Sequence, residues 1–207
     1  MSVVTLSASF GAGGAVIGPA VAERLGLPFI DRAIPTQVAA ELGVAAEAAE
    51  ARDETAPRLL TRILTSIAPV SAEYMIGFDN PRAALLTEES FLERTQLVLR
   101  RCVGERGGVI LGRAGAIVLA DCPGALHVRL DGDPDRRARQ AARAAGMTEE
   151  QSMQLLREVD RTRAGYVKHF YRADPADPCH YHLTLDSTRL SFEACTDLIV
   201  TAYEANR

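Results

Sequence analysis

Apolar residues along this chain follow two rhythms, one of short strands and one of helices. Ser2 to Leu6 (SVVTL) is rich in β-branched residues and predicts a first strand, ended by a run of small residues. From about Gly14 to Leu25, Val16, Ile17, Ala20, Val21 and Leu25 recur at helical spacing, with Pro19 set awkwardly among them. Gly26 stops that helix, and Leu27 to Ile30 (LPFI) reads as a short second strand leading into Asp31-Arg32. Residues 33–105 look almost wholly helical: Leu59, Leu60, Ile63, Leu64 and Ile67 mark one amphipathic stripe. Another starts near Thr87-Glu88-Glu89 and carries Phe91, Leu92, Val98, Leu99 and Cys102.

Strands then return. Val109 to Leu111, bounded by glycines, predicts a buried third strand, and Ala125 to Leu130 (ALHVRL) a fourth. Asp133-Pro134 supplies an N-cap followed by proline at the first helical position. Thr148-Glu149-Glu150-Gln151 is a capping box opening a long helix to about Tyr171. Asp174 to Pro178 predicts a turn and His182 to Leu185 a fifth strand. A last amphipathic helix carries Phe192, Cys195, Leu198 and Ile199. Strands alternating with helices imply a parallel sheet covered on both faces. Ligands of such sheets bind beyond the C-terminal strand ends, so Ser7 to Ala15, Asp31-Arg32, Gly112-Arg113, Asp131 to Arg137 and Asp186 to Arg189 are the segments to compare.

Composition narrows the classes. The 207 residues suit one domain, with room for a smaller lid or subdomain, and no apolar run approaches the ~20 residues of a membrane span. No signal peptide is evident, and the expected location is cytoplasmic, without a membrane partner. A net charge of −4 argues against a general nucleic-acid binder. Of 23 basic residues only Lys168 is lysine, so any phosphate must be met by arginines or backbone N–H groups. The four cysteines form no CxxC pair. Cys179-His180-Tyr181-His182 would send adjacent side chains to opposite faces of an extended segment, and no metal site is expected there.

The stretch SASFGAGGAVIG, Ser7 to Gly18, sits between the first strand and the first helix, where a phosphate-binding loop would lie. Against the pattern G-x-x-x-x-G-K-[ST], Gly13 is the second glycine. Ala8 stands at the first, Gly14 at the lysine and Ala15 at the hydroxyl. A tight strand-to-helix turn would explain the glycines equally well. What survives is backbone: Gly11, Ala12, Gly13, Gly14 and Ala15 can turn N–H groups toward an anion at a helix N-terminus.

The succession of a glycine loop, LGLPFID, VILGRA, a D-P-x-R-R-A-R helix, EVDRTRAGY and LTLDSTRLSFEA resembles the cytidylate kinase-like proteins, a divergent branch of the nucleoside monophosphate kinases. The resemblance runs from Val3 to about Glu204 and is weakest between residues 45 and 85. Members of this branch often carry G-S-G-G in place of the lysine, which Gly14 fits; an arginine often follows, and here that position is Ala15. The resemblance implies a three-layer α/β/α P-loop kinase-like sandwich with five parallel strands in order 2-3-1-4-5. The core would take approximately residues 1–32, 87–135 and 180–207. A helical monophosphate-binding insertion would span approximately 33–86, and a lid approximately 136–179.

It also implies roles. Gly11 to Ala15 would hold donor phosphates of ATP, and Arg113 the acceptor phosphate, unless Arg113 makes a structural salt bridge. Asp31 and Arg32 would lie near the acceptor pocket, with a helix N-cap the competing role for Asp31. Arg157, Arg161 and Arg163 would act from the lid, or form a solvated face with Glu158 and Asp160. Lys168 is a candidate substitute for the missing lysine. Asp186 and Arg189 match a segment near the adenine pocket, where a turn-and-cap role is also open. Mg²⁺ would be held largely by phosphates and water, with a carboxylate such as Asp31 as a candidate helper. The function implied is ATP-dependent phosphorylation of a nucleoside monophosphate, CMP or dCMP first. A catalytically impaired nucleotide-binding protein with a regulatory role, or a kinase of another small metabolite, stays open, as does the choice between monomer and homo-oligomer.

Overall fold

The computed structural model describes residues 2–30, 96–97, 99–101, 103–104, 107–112 and 114–207. The stripe expected over residues 59–67, the first part of the one expected from Thr87 to Cys102, and Asp31, Arg32 and Arg113 lie outside the described residues; where the second stripe is described it is helical, with Leu99 buried. The chain divides into two compact units, Met1–Asp31 with Arg100–Arg207, and Arg32–Leu99.

The first unit holds the sheet. β1 (Val3–Ala8) leads into α1 (Gly14–Leu25), and β2 (Phe29–Ile30) follows. β3 (Gly108–Leu111), the short α2 (Gly115–Val118) and β4 (Ala125–Asp131) come next. α3 (Pro134–Ala145) and α4 (Glu149–Tyr171) form a hairpin, and a 3-10 turn (Pro178–His180), β5 (Leu183–Asp186) and α5 (Phe192–Ala205) close the chain. All strands are parallel, as the alternation of strands and helices predicted, and their order β2-β3-β1-β4-β5 is the one the resemblance implied.

Local signals set the boundaries. Asp133 accepts the Arg136 N–H at 3.1 Å with Pro134 in the first turn, so α3 starts where its cap stands. Thr148 and Gln151 bond reciprocally, at 3.2 and 3.0 Å, and open α4. α1 ends in a Schellman turn, with Leu27 N–H on Ala22 O at 2.9 Å and Gly26 left-handed. Pro19 lies inside α1 on an exposed position, and the helix continues through it.

Side chains alternate across the sheet. On one face, Val4 and Leu6 of β1 and Leu126, Val128 and Leu130 of β4 pack against Ile17 and Val21 of α1 and Cys195, Ile199 and Tyr203 of α5. Fully burying each large aliphatic side chain contributes about 1.5–3 kcal/mol. The other face begins apolar at Val3 and Ala125 and turns polar toward the strand ends. β1 offers Thr5 and Ser7, and β4 offers His127, Arg129 and Asp131, with Thr5 in register with His127. Polarity therefore rises toward the edge where β1 runs into α1.

Candidate functional site

At that edge the chain leaves β1 at Ala8 and enters α1 at Gly14. Gly11 and Gly13 both take left-handed conformations, with φ of 77° and 73°. Neither position has room for a side chain: a Cβ on Gly11 would collide with the Arg137 carbonyl, and one on Gly13 with the Phe192 ring. α1 has no side-chain cap and no acidic residue in its first turn. Among the described residues no acceptor takes the N–H of Gly13, Gly14 or Ala15. Three orphan donors and the positive end of the helix dipole thus converge on one spot, an arrangement suited to an anion.

The back of the loop is the opposite case. Arg163 Nη1 donates to Ala8 O at 3.0 Å, Arg137 Nη1 to Phe10 O at 3.0 Å, and Gln140 Nε2 to Gly11 O at 2.8 Å. The Ser187 hydroxyl donates to Ala12 O at 2.8 Å, and Phe10 N–H donates to Asp160 Oδ1 at 2.8 Å. Four carbonyls of one short loop are therefore drawn outward by side chains from α3, α4 and the turn after β5. Each peptide plane is a rigid unit. Drawing its oxygen outward fixes where the following N–H points: Ser187 on the Ala12 carbonyl orients the Gly13 N–H, and the other three holds fix the course of the loop that leads into α1.

The side chains that do this form one chain of alternating charge. Arg129 meets Asp131 Oδ2 through Nη2 at 2.7 Å and Nε at 3.0 Å. Arg137 Nε lies 3.5 Å from Asp131 Oδ1, and its Nη1 donates to Asp160 Oδ2 at 2.7 Å. Arg137 also gives Nε to Gly132 O at 2.9 Å, and its side chain is only 7% exposed. Burial alone would raise the Asp131 carboxyl; the Arg129 hydrogen bond and charge outweigh it and hold Asp131 below the usual carboxylate value. The Arg129 guanidinium lies 5.7 Å over the Tyr181 ring and donates to Pro175 O at 2.5 Å. Tyr181 donates its hydroxyl to the same carbonyl at 2.8 Å, with Ser7 Oγ 3.2 Å away. The segment following α4 is thereby tied to the end of β1.

Deeper on the same face, His127 and His182 stack with centroids 5.0 Å apart. His127 donates to the Leu119 carbonyl, and its Nδ1 lies 2.8 Å from Thr5 Oγ1. A neutral ring that donates from Nε2 and accepts the threonine proton at Nδ1 satisfies both contacts. Burial first, and His182 second, lower its pKa to about 4.

The sequence-named residues divide accordingly. Gly11, Ala12, Gly13, Gly14 and Ala15 come together as the loop. Of the three α4 arginines, Arg163 reaches it, through the Ala8 carbonyl, whereas Arg157 and Arg161 are exposed on other faces of the helix. Asp186 accepts from Thr188 N at 3.0 Å and Oγ1 at 2.5 Å, and Arg189 Nε lies 3.6 Å away with its side chain 68% exposed. Lys168 is 59% exposed and pairs with Asp174 at 3.5 Å. The extended segment expected at Cys179-His180 is instead the 3-10 turn, because Asp177 caps Cys179 N–H at 2.9 Å with Pro178 between them. Cys179 Sγ and His180 Nδ1 therefore lie 3.8 Å apart rather than on opposite faces.

Arg137 and Ser187 lie in segments the sequence singled out, but no role at the loop was read for them, nor for Gln140, Asp160 or Phe192. Arg137 stood in the D-P-x-R-R-A-R run without an assigned role, and Asp160 read as a surface partner of neighbouring arginines. Beside Arg113, Gly112 and Ala114 have φ of 81° and 51°, and a left-handed alanine is uncommon.

A five-stranded parallel sheet of this order, whose first strand passes through a glycine loop into a helix, is the fold of the P-loop kinases. The chain superposes on a shikimate kinase from Bacteroides thetaiotaomicron with a TM-score of 0.51 at 14% identity, covering 97% of each chain. A shikimate kinase from Acinetobacter baumannii in complex with shikimate gives 0.50 at 16% identity, covering 100% of this chain and 95% of that one. An uncharacterized protein from Eubacterium ventriosum gives 0.68 at 16% identity over 99% of each. The model of the cytidylate kinase-like family matches residues 3–189, and the chain belongs to that family. It is also 29% identical over 97 residues to a uronate isomerase from Corynebacterium glutamicum, a match covering 47% of this chain and 19% of that protein. Among the described residues no helix is long and apolar enough to cross a membrane.

Proposed function

We propose that the protein transfers the γ-phosphoryl group of ATP to a small acceptor, with a nucleoside monophosphate, CMP or dCMP first, as that acceptor. The observation that carries this reading is the loop: free N–H groups of Gly13, Gly14 and Ala15 at the head of α1, with the carbonyls behind them held away. Membership of the cytidylate kinase-like family supports it. An acceptor oxygen would attack the γ-phosphorus while the bond to the bridging oxygen breaks and ADP departs. Such a transfer asks the protein for positioning and charge neutralisation more than for a strong base. The loop amides would hold the donor phosphates, and Arg113 the acceptor phosphate. Asp31 and Arg32 would lie by the acceptor, and Asp186 and Arg189 by the adenine. Residues 33–86 would form the acceptor-side insertion and 136–179 the covering hairpin.

The backbone amides fit polyphosphate. Among the described residues the loop fits an inner-sphere Mg²⁺ poorly: position 15 is alanine, and Asp131 and Asp160 are both engaged by guanidiniums. Mg²⁺ would accordingly come bound to the nucleotide, and no step is assigned to a protein-held ion.

A second reading, nucleotide binding without transfer, has its own observation. A Cβ on Gly14 would lie 2.6 Å from Ala8 Cβ and 3.0 Å from Leu111 Cδ1, so the position of the usual lysine is closed. The deciding experiment is γ-phosphate transfer from ATP·Mg²⁺ to a panel of nucleoside monophosphates, with shikimate as a non-nucleotide acceptor and Arg113→Ala as control. Transfer to CMP or dCMP that is lost in the control supports the kinase reading. Transfer to shikimate alone replaces the acceptor, and ATP binding without transfer favours the second reading.

A further inference from the structure

The hairpin of α3 and α4 was expected to work as a lid bringing arginines to the transferring phosphate. Its contacts describe a further task. Asp160, one turn before Arg163 on α4, spends Oδ1 on the Phe10 N–H and Oδ2 on Arg137, while Arg137 spends Nη1 on the Phe10 carbonyl as well. Both polar groups of one loop residue are thus gripped by a single ion pair. On either side, Arg163 holds Ala8 O and Gln140 holds Gly11 O. The charges in the grip balance, since Asp131 takes the other edge of Arg137 and Arg129 takes Asp131. Hairpin and loop belong to one compact unit.

We infer that Asp160 is a positioning residue for the phosphate-binding loop: α4 is latched to the outside of the loop through Asp160 and Arg137, and this latch, rather than arginines reaching into the site, is how the hairpin sets affinity for a polyphosphate. The inference rests on the phosphate reading of the loop. Its physical basis is that charge-assisted hydrogen bonds are the stronger kind, and a loop whose outward carbonyls are held loses little order on meeting its anion. By linkage, whatever strengthens the latch strengthens anion binding, and a bound anion must tighten the latch equally.

The test uses the full chain and inorganic tripolyphosphate as probe. Affinity is measured by calorimetry well below the melting temperature, and exchange of the Phe10 amide by NMR, with and without the probe. In the wild type, tripolyphosphate binds and slows Phe10 exchange. Asp160→Ala is expected to weaken binding about ten-fold or more, with Phe10 protection lost before any ligand is added. Asp160→Asn keeps an oxygen for the Phe10 N–H but no charge for Arg137, and falls between; it carries the test if the alanine variant does not fold. Arg139→Ala, exposed on α3, keeps wild-type affinity. A merely structural aspartate would lower the melting temperature and leave the affinity of folded protein unchanged, and that result overturns the inference, as does unchanged Phe10 exchange. A wild type that binds no tripolyphosphate brings down the phosphate reading itself and the inference with it. Equal binding by wild type and Asp160→Ala brings down the inference alone.

Discussion

The two faces of β1 and β4 have the same backbone and opposite chemistry. One is apolar from end to end, Val4 and Leu6 beside Leu126, Val128 and Leu130, and is held by area removed from water. The other changes along its length, from Val3 and Ala125 through Thr5 and His127 to Arg129 and Asp131, and is held by specific pairs. The apolar face fixes where the strands lie; the polar face fixes what the loop beyond them can hold. A packed aliphatic face tolerates exchange among side chains of similar volume. A network in which one guanidinium serves two carboxylates and two carbonyls does not.

The largest effects should come from removing one buried side chain that serves each face. Arg137→Ala strands Asp160, the Phe10 carbonyl and the Gly132 carbonyl, and is expected to cost about 3–5 kcal/mol. Leu130→Ala, on a side chain with no exposed surface, is expected to cost about 2–5 kcal/mol. Urea unfolding gives both losses, and the faces separate on ligand binding: at a temperature where both variants are folded, Arg137→Ala loses polyphosphate affinity and Leu130→Ala keeps it. Equal affinity losses would erase the distinction.

The polar face also predicts a pH dependence. The folded chain lowers the His127 pKa from 6.5 to about 4. Between those values the unfolded chain binds a proton that the folded chain refuses, so stability falls as pH drops from 6.5 toward 4, by no more than about 3.4 kcal/mol. Urea midpoints across that window should show the slope in the wild type and a smaller one in His127→Gln. Equal slopes would assign the effect elsewhere.

A sharper contrast lies inside the loop. Gly14→Lys alone is expected to cost about 1–3 kcal/mol, because its Cβ meets Ala8 Cβ. Adding Ala8→Gly removes that methyl group, and thermal melts of the two singles and the double should show part of the loss recovered. Additive losses would mean the contact is not what closes position 14. The smallest effect belongs to Ala114: its left-handed backbone costs about 1–2 kcal/mol, and Ala114→Gly should stabilise by less than that, since glycine loosens the unfolded chain.

Strands and helix starts were legible because each has a local cause, whereas the strand order came with the family resemblance. The β-branched run of Val3 to Thr5, the Asp133-Pro134 cap and the Thr148–Gln151 box act within a few residues. The glycine loop was legible for the same reason. Its holders were not. Asp160 lies 150 residues from Phe10, and Gln140 lies 129 from Gly11, so no spacing in the sequence announces them. Arg163 was named beside Arg157 and Arg161, yet only the helix turn decides which of the three faces the loop. The turn at Cys179 was misjudged because one aspartate cap, at Asp177, overrides an otherwise extended pattern.

The most direct test of the account is an NMR titration of the protein with ATP·Mg²⁺, following the amides of Gly13, Gly14 and Ala15. Backbone capture of phosphate predicts that these three resonances move first and furthest, saturating together at one affinity. Binding that leaves all three unmoved while other amides shift would place the nucleotide elsewhere and contradict the loop as its phosphate site.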